Sequence, residues 1–173
     1  MGPGASQGLV SRLDQLAARP GYQLTYSVGW ELGERERCAI GLVADAAWQI
    51  AVDGRGEVRE RRADDACGDR SCCHRNCWVE EAHVTELTAL LRQGPAGDQL
   101  DGWPERTRIF ARRERPHPGA QLSLFEAGDG WRYSLWVTNV PVTLRGWRTN
   151  PAYVDAAHRV HARVEDGIIL RPS

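Results

Sequence analysis

The clearest pattern of apolar and polar positions lies near the C-terminus and predicts one helix over residues 150–166. Asn150 suits the N-cap, because its side chain can accept from the first free backbone N–H groups, and Pro151 fits the first helical position. Helical spacing of apolar side chains predicts a buried stripe of Tyr153, Ala157, Val160 and Val164. The residues His158, His161 and Glu165 are spaced so that they share a second, polar face.

The same reading predicts the other elements. Helices are expected over residues 4–19, 31–43 and 80–92, the last with Val84, Leu87, Leu90 and Leu91 inward. Strands are expected over residues 22–30, 48–52 and 107–113, with residues 57–61 returning as a hairpin partner of 48–52. A second hairpin is predicted between residues 121–125 and 131–138. Several strands therefore separate a first helix–strand unit from the last helix.

Length and composition suit one domain of ordinary size or a piece of a larger protein. The chain has 173 residues and a formal net charge of −1, so its overall charge indicates no particular partner. No apolar run reaches membrane-spanning length, and the first residues lack the basic and apolar regions of a signal peptide. The sequence thus predicts a cytoplasmic protein without a membrane partner, whose cysteines are thiols or metal ligands.

Four cysteines and a histidine fall in one polar segment without periodicity: Cys67, Cys72, Cys73, His74 and Cys77. Four thiolates and an imidazole can form a tetrahedral Zn²⁺ site, and the Cys73–Cys77 spacing is tolerable for two ligands. Structural zinc sites usually take ligand pairs from two separate turns, however, and no second pair occurs elsewhere. A zinc site and an exposed loop with free thiols both remain open.

Arginines cluster in two places, at Arg106, Arg108, Arg112, Arg113 and Arg115 around one predicted strand, and at Arg145 and Arg148 before the last helix. Guanidinium forks match phosphate oxygens and can position nucleic acid without reading its sequence. We therefore take Arg112, Arg113, Arg145 and Arg148 as candidate DNA contacts. The alternative is a solvated strand face balanced by neighbouring glutamates.

Four segments, taken together, resemble a known family. They are residues 22–29 (YQLTYSVG), 113–121 (RERPHPGAQ), 131–139 (WRYSLWVTN) and 158–166 (HRVHARVED). In this order they resemble the C-terminal part of bacterial insertion-sequence DDE transposases, in particular the branch labelled transposase DDE group 1.

The resemblance implies an α+β fold with an RNase H-like core and a β-rich insertion. Residues 1–30 would belong to the core, residues 31–140 to the insertion with its Cys-rich loop, and residues 141–173 to the last acidic helix and a divergent tail. In that family two Asp and one Glu hold two divalent metals, Mg²⁺ or Mn²⁺, which drive cleavage and transfer of transposon ends. Glu165 matches the Glu, and His158 and His161 stand at its motif's Tyr and Arg positions.

The chain also departs from the family pattern. The first Asp has no counterpart, the second would fall near Met1, and the motif's Lys position falls on Pro172. One carboxylate cannot assemble a two-metal site. The expectation is a truncated transposase, inactive alone, which exposes part of its core and self-associates. The alternatives are a non-catalytic DNA-binding remnant, a small zinc protein, or a nuclease that completes its site with Asp14, Asp155 or Asp166.

Overall fold

Strand β4 lies at the centre of a five-stranded antiparallel sheet, whose order is β1-β5-β4-β3-β2. This computed structural model describes residues 7–21, 24–53, 56–58, 81–95, 97–116, 119–141 and 150–164, with only the backbone over 160–164. The strands are β1 Ser27–Trp30, β2 Gln49–Ile50, β3 Ala82–Glu86, β4 Arg108–Glu114 and β5 Arg132–Thr138. The helices are α1 Gln7–Ala17, α2 Glu34–Gly41, α3 Thr88–Gln93, α4 Leu124–Asp129 and α5 Pro151–Val164, with a 3-10 turn at Asp45–Ala47.

Alternation along β4 divides the sheet into two faces. Ile109 and Ala111 point into the larger core, whereas Phe110 belongs to a smaller core on the other side. Successive side chains of a strand point to opposite faces of the sheet. Because both faces are covered here, the side chains on both sides of β4 are buried. We call these the α1 face and the α5 face, after the helices that cover them.

The α1 face carries the main hydrophobic core. Val10 of α1 and Ile40 of α2 pack there with Val137 of β5 and with Leu87 and Leu91 around α3. Burial of this apolar surface is the main favourable contribution to folding. On the α5 face, α5 contributes Val154 to one cluster with Phe110, and Ala152 and Ala156 to another around Val52.

Much of the predicted secondary structure is confirmed. Helix α1, strand β4 and helix α5 lie within or over their predicted ranges, and α2 and β2 are shorter than predicted. The strand predicted over residues 22–30 is confined to Ser27–Trp30 within the described residues. The predicted return of residues 57–61 is represented by one bridge, between Val52 and Val58. Among the described residues, no helix is long and apolar enough to cross a membrane.

The helix predicted over residues 80–92 is wrong in its first half. Ala82–Glu86 is strand β3, and the helix is confined to Thr88–Gln93. All five residues of β3 pair with β4, from Ala82 opposite Glu114 to Glu86 opposite Phe110. The apolar spacing fitted a helix, but pairing with a neighbouring strand overrides a short local pattern. Val84 is therefore buried on the α5 face and Leu91 on the α1 face.

The hairpin predicted between residues 121–125 and 131–138 is also wrong. Strand β5 exists, but it pairs with β1 and β4, and the residues before it form helix α4. Ser123 and Glu126 form a capping box that starts this helix, and Gly130 ends it with a positive φ of 75°. The Ser-x-x-Glu spacing was the available sequence signal for this helix.

The start of α5 is confirmed, but its buried side is not the predicted stripe. The Asn150 side chain accepts from the backbone N–H of Ala152 at 2.9 Å. The buried residues of the helix are Ala152, Val154, Asp155 and Ala156, whereas Tyr153 and Ala157 are half-buried. The helix is rotated because polar groups of the sheet, described below, hold Asp155 inward.

The mixed helix and sheet composition agrees with the predicted α+β class. The three predicted segments contact one another through a single sheet. Strand β1 of residues 1–30 pairs with β5 of residues 31–140, and helix α5 of residues 141–173 packs on β3 and β4. The RNase H-like identity of the core and the division at residues 30 and 140 remain predictions.

Candidate functional site

His158 of α5 points toward the sheet, and its ring stacks on the indole of Trp136. The two ring centroids are 4.9 Å apart and the planes differ by 2°. The Nδ1 atom of His158 is 2.6 Å from the Ser27 hydroxyl of β1. The predicted polar face of the helix therefore turns toward the sheet at His158, where the imidazole joins α5 to β5 and β1.

The stack continues across the sheet. Phe110 lies opposite Trp136 in the register of β4 and β5, with ring centroids 5.6 Å apart. The Arg108 guanidinium lies over the Phe110 ring, 4.8 Å from its centroid, and forms a two-pronged ion pair with Glu86. We call Arg108, Phe110, Trp136 and His158 the stacked row. Its order fixes the position of the His158 ring relative to β4 and β5.

Beside the stacked row, Asp155 forms the centre of a buried ion cluster. Its Oδ2 atom accepts from Arg112 Nη1 at 2.7 Å and lies 3.2 Å from Arg159 Nε. Arg112 Nε also donates to Glu114 at 3.1 Å, and Arg159 donates to the carbonyl of Val52. These bonds tie the middle of α5 to β4 and to the segment after β2.

Asp155 is fully buried, and its Oδ1 atom has no hydrogen-bond partner among the described residues. Burial raises the pKa of Asp155, against the opposing effect of Arg112 and Arg159. A carboxylate that is enclosed and held by two guanidinium groups is poorly placed to take a proton from a substrate or to ligate a metal. We therefore assign the ion cluster a structural role.

On the α1 face, Arg113 lies between two indoles. Its guanidinium carbon is 4.5 Å from the Trp48 ring centroid and 4.6 Å from that of Trp131. Arg115 lies over Trp131 at 3.8 Å, and the ring of His83 meets Trp131 edge-on at 5.5 Å. We call these five residues the arginine–tryptophan cluster.

Two exposed carboxylates pair with this cluster. Arg113 Nη1 donates to Asp45 at 3.2 Å, and Arg115 Nε donates to Glu81 at 3.1 Å. Burial lowers the pKa of His83, and the positive charges of Arg113 and Arg115 lower it further against the two carboxylates. The surroundings of His83 therefore favour its neutral form.

Three of the candidate site residues predicted from the sequence have described side chains: His158, Arg112 and Arg113. The side chains of His158 and Arg112 both lie between α5 and the sheet. Arg113 points to the opposite face from Arg112, as expected for neighbours on a strand. The predicted arginine patch is thus divided between two sites. Outside the described residues lie Glu165, Arg145, Arg148, Cys67, Cys72, Cys73, Cys77 and the side chain of His161.

Sequence reasoning missed the partners of these residues. Asp155 was considered only as one of three acidic residues that could complete a nuclease site, and Trp131 and Trp136, just before and within β5, were not assigned to faces. A signal existed, because Trp131 and Trp136 are five residues apart in the strand predicted over residues 131–138, and that spacing places them on opposite faces.

The described residues do not assemble a metal site. They contain no group of three or more His, Cys, Asp or Glu side chains placed to hold an ion. Asp14 belongs to α1 and Asp155 to α5, on opposite faces of the sheet, so these two cannot complete one site. Mg²⁺ or Mn²⁺ at Glu165 and Zn²⁺ at the cysteines remain predictions.

Comparison of the chain with protein-family models, with curated proteins and with solved structures found no match.

Proposed function

We propose that this protein is related to DDE transposases, binds DNA, and does not by itself carry out strand transfer. The observation that supports this most is the contact among Ser27, Trp136 and His158. These residues come from the first, third and fourth of the segments that resemble the family. Segments that build a shared site must meet in the fold, and Ser27 and His158 meet although they are 131 residues apart.

The same proposal assigns α1, β1 and α5 to an RNase H-like core and the strands β2 to β5 to its insertion. The stacked row would then be the contact that holds the last helix against the insertion. It supports a positioning role for His158, because the ring packs against Trp136 and is not directed outward from the helix.

The proposed lack of strand transfer is based on the number of carboxylates that could bind metal ions. The resemblance supplies Glu165 alone, and Asp155, earlier on the same helix, is held by Arg112 and Arg159. Two-metal catalysis needs carboxylates from several elements, because the ions must bind both the attacking and the leaving oxygen. DNA contact requires no such set, since guanidinium groups bind phosphates individually.

DNA binding is tested by fluorescence anisotropy of a labelled duplex at several salt concentrations. Binding should weaken as salt rises, because each neutralised phosphate releases counterions. In the double variant Arg145→Gln/Arg148→Gln, the slope of log K against log salt should fall by about two, close to one for each lost contact. The matched control is Arg12→Gln/Arg19→Gln, which removes the same charge from exposed positions near α1. No binding by the wild-type protein at low salt would overturn the proposal.

The lack of activity is tested on the same duplex and on supercoiled plasmid with Mg²⁺ or Mn²⁺. No nicking above background is expected. Metal-dependent nicking that disappears in Glu165→Gln would contradict the proposal and would favour an active nuclease. Sedimentation of the same samples tests whether the protein self-associates, as the sequence predicts.

A further inference from the structure

The arginine–tryptophan cluster brings two guanidinium groups and an imidazole around one indole. Arg113 and Arg115 both lie within 5 Å of the Trp131 centroid, at 4.6 and 3.8 Å, and His83 is directly opposite Arg113 in the strand register. Stacking on an aromatic ring restricts a guanidinium to one plane. The two arginines are therefore held in place before any ligand binds.

The carboxylates that pair with these arginines are loosely placed. The Asp45 side chain is 93% exposed, and Glu81 and Arg115 are each 46% exposed. Ion pairs between exposed side chains contribute little, because water screens them and the side chains lose freedom on pairing. An anion of higher charge can therefore displace Glu81 from Arg115 at small cost. It can also replace Asp45 if it keeps the 14% exposed Arg113 side chain paired.

The donors that such an anion needs are present. Arg113 uses Nη1 for Asp45, and Arg115 uses Nε for Glu81 and Nη1 for the carbonyl of Gly130. Neither Nη2 group takes part in these bonds. Guanidinium N–H groups make short, charge-assisted bonds to phosphate oxygens.

We propose that the arginine–tryptophan cluster binds a phosphate group, which Arg113 and Arg115 hold in place of Asp45 and Glu81. Where the phosphate belongs to DNA, the inference rests on the proposed function and adds a second contact surface, on the α1 face. His83 lies at the edge of this site, where burial first, and then the charges of Arg113 and Arg115, lower its pKa.

The test compares Arg115→Gln with Arg132→Gln, since Arg132 is an exposed arginine on β5 that lies on the α5 face. Inorganic phosphate is titrated into ¹⁵N-labelled protein, and the side-chain Nε–H signals of arginine are followed by NMR. The signals lost in the Arg113→Gln and Arg115→Gln spectra should be the ones that shift. Phosphate affinity should fall about tenfold or more in Arg115→Gln, the loss expected for one charge-assisted hydrogen bond, and stay unchanged in Arg132→Gln. Because Arg113 is largely enclosed, Arg115→Gln decides the outcome if Arg113→Gln does not fold.

Duplex DNA forms the second arm and separates this inference from the proposed function. If wild-type protein binds DNA and Arg115→Gln binds as Arg132→Gln does, DNA binding stands and DNA phosphate at this cluster is ruled out. If phosphate shifts the two arginine signals but DNA does not bind, the site takes free phosphate and the proposed function fails. Equal phosphate titrations of Arg115→Gln and Arg132→Gln would overturn the inference.

Discussion

The His158 imidazole and the Trp136 indole lie parallel, with centroids 4.9 Å apart, and the Ser27 hydroxyl bonds the imidazole at its edge. A ring that is stacked and hydrogen-bonded at once has its orientation fixed in two directions. This relationship makes His158 the point at which α5, β5 and β1 are joined.

Loss of this contact should destabilise the fold. We expect His158→Ala to lower the free energy of unfolding by about 1–2 kcal/mol, from the lost stacking and one lost hydrogen bond. Ser27→Ala should cost less, about 1 kcal/mol, because it removes the bond alone. Urea unfolding of both single variants and of the double variant measures the coupling between them. Strictly additive effects would mean that the Ser27–His158 bond is not formed in solution.

In the ion cluster, removal of Arg112 and removal of Asp155 should have different effects on stability, because only the first leaves a fully buried carboxylate without its closest partner. Arg112→Met leaves the buried Asp155 carboxylate with less compensation and should cost about 3–5 kcal/mol at neutral pH. Adding Asp155→Asn should restore much of that loss, since an amide carries no charge to desolvate. Urea unfolding of the single and double variants tests this, and a double variant no more stable than Arg112→Met would contradict it.

The raised pKa of Asp155 gives the same cluster a pH dependence. A carboxyl with a higher pKa in the folded state binds its proton more tightly when folded, so protonation stabilises the fold. This stability is fully present below the ordinary Asp pKa and is lost as pH rises through the folded pKa. The difference in unfolding free energy between Asp155→Asn and wild type should therefore shift in favour of Asp155→Asn as pH rises through that window. A difference that does not change with pH would show that the pKa of Asp155 is not raised.

Local sequence patterns predicted β4 and α5, because the signals for these elements lie in neighbouring residues. Strand β4 was predicted with Ile109 and Ala111 on its inner face, and α5 was predicted because Asn150 and Pro151 mark its start. These signals lie within a few residues of the structure they specify. Their prediction required no knowledge of the rest of the chain.

Helix α4 was missed although its capping box is a local signal, but the misses at β3 and Asp155 have another physical cause: the deciding partner is distant in sequence. Strand β3 forms because β4 lies beside it, and nothing within residues 80–92 indicates that neighbour. Asp155 is buried because Arg112, 43 residues earlier, reaches it from β4. Since α5 rotates to make that bond, its apolar stripe alone could not predict the side that faces the sheet.

Helix α4 offers a test of a purely local contact. Burial would raise the pKa of Glu126, but hydrogen bonds from Ser123 and from the backbone of Tyr133 lower it on balance. We expect Ser123→Ala to cost about 1 kcal/mol at pH 7, as is usual for an N-cap. The stability from the lowered pKa is present above the ordinary Glu value and is lost as pH falls through the folded value.

The matched control for this helix is Ser134→Ala, an exposed serine on β5. The unfolding free energy of Ser134→Ala should match that of wild type at pH 7 and at pH 3. The cost of Ser123→Ala should shrink as pH falls, because protonation of Glu126 removes the charge that the bonds from Ser123 stabilise. An equal cost at pH 7 and pH 3 would mean that the capping box does not hold Glu126 ionised.

His83 should make stability depend on pH near neutrality. Its pKa is lowered in the folded state by burial and by Arg113 and Arg115, so the unfolded chain takes up a proton more readily. The associated stability is present above the ordinary His pKa of 6.5 and is lost as pH falls through the lower, folded value. In His83→Gln this part of the pH dependence should be absent, because glutamine does not titrate. Urea unfolding between pH 8 and pH 5 measures the two slopes, with the exposed Ser134→Ala as the control for a substitution elsewhere on the sheet. Parallel profiles for wild type and His83→Gln would contradict the lowered pKa and would weaken the case for positive potential around Trp131.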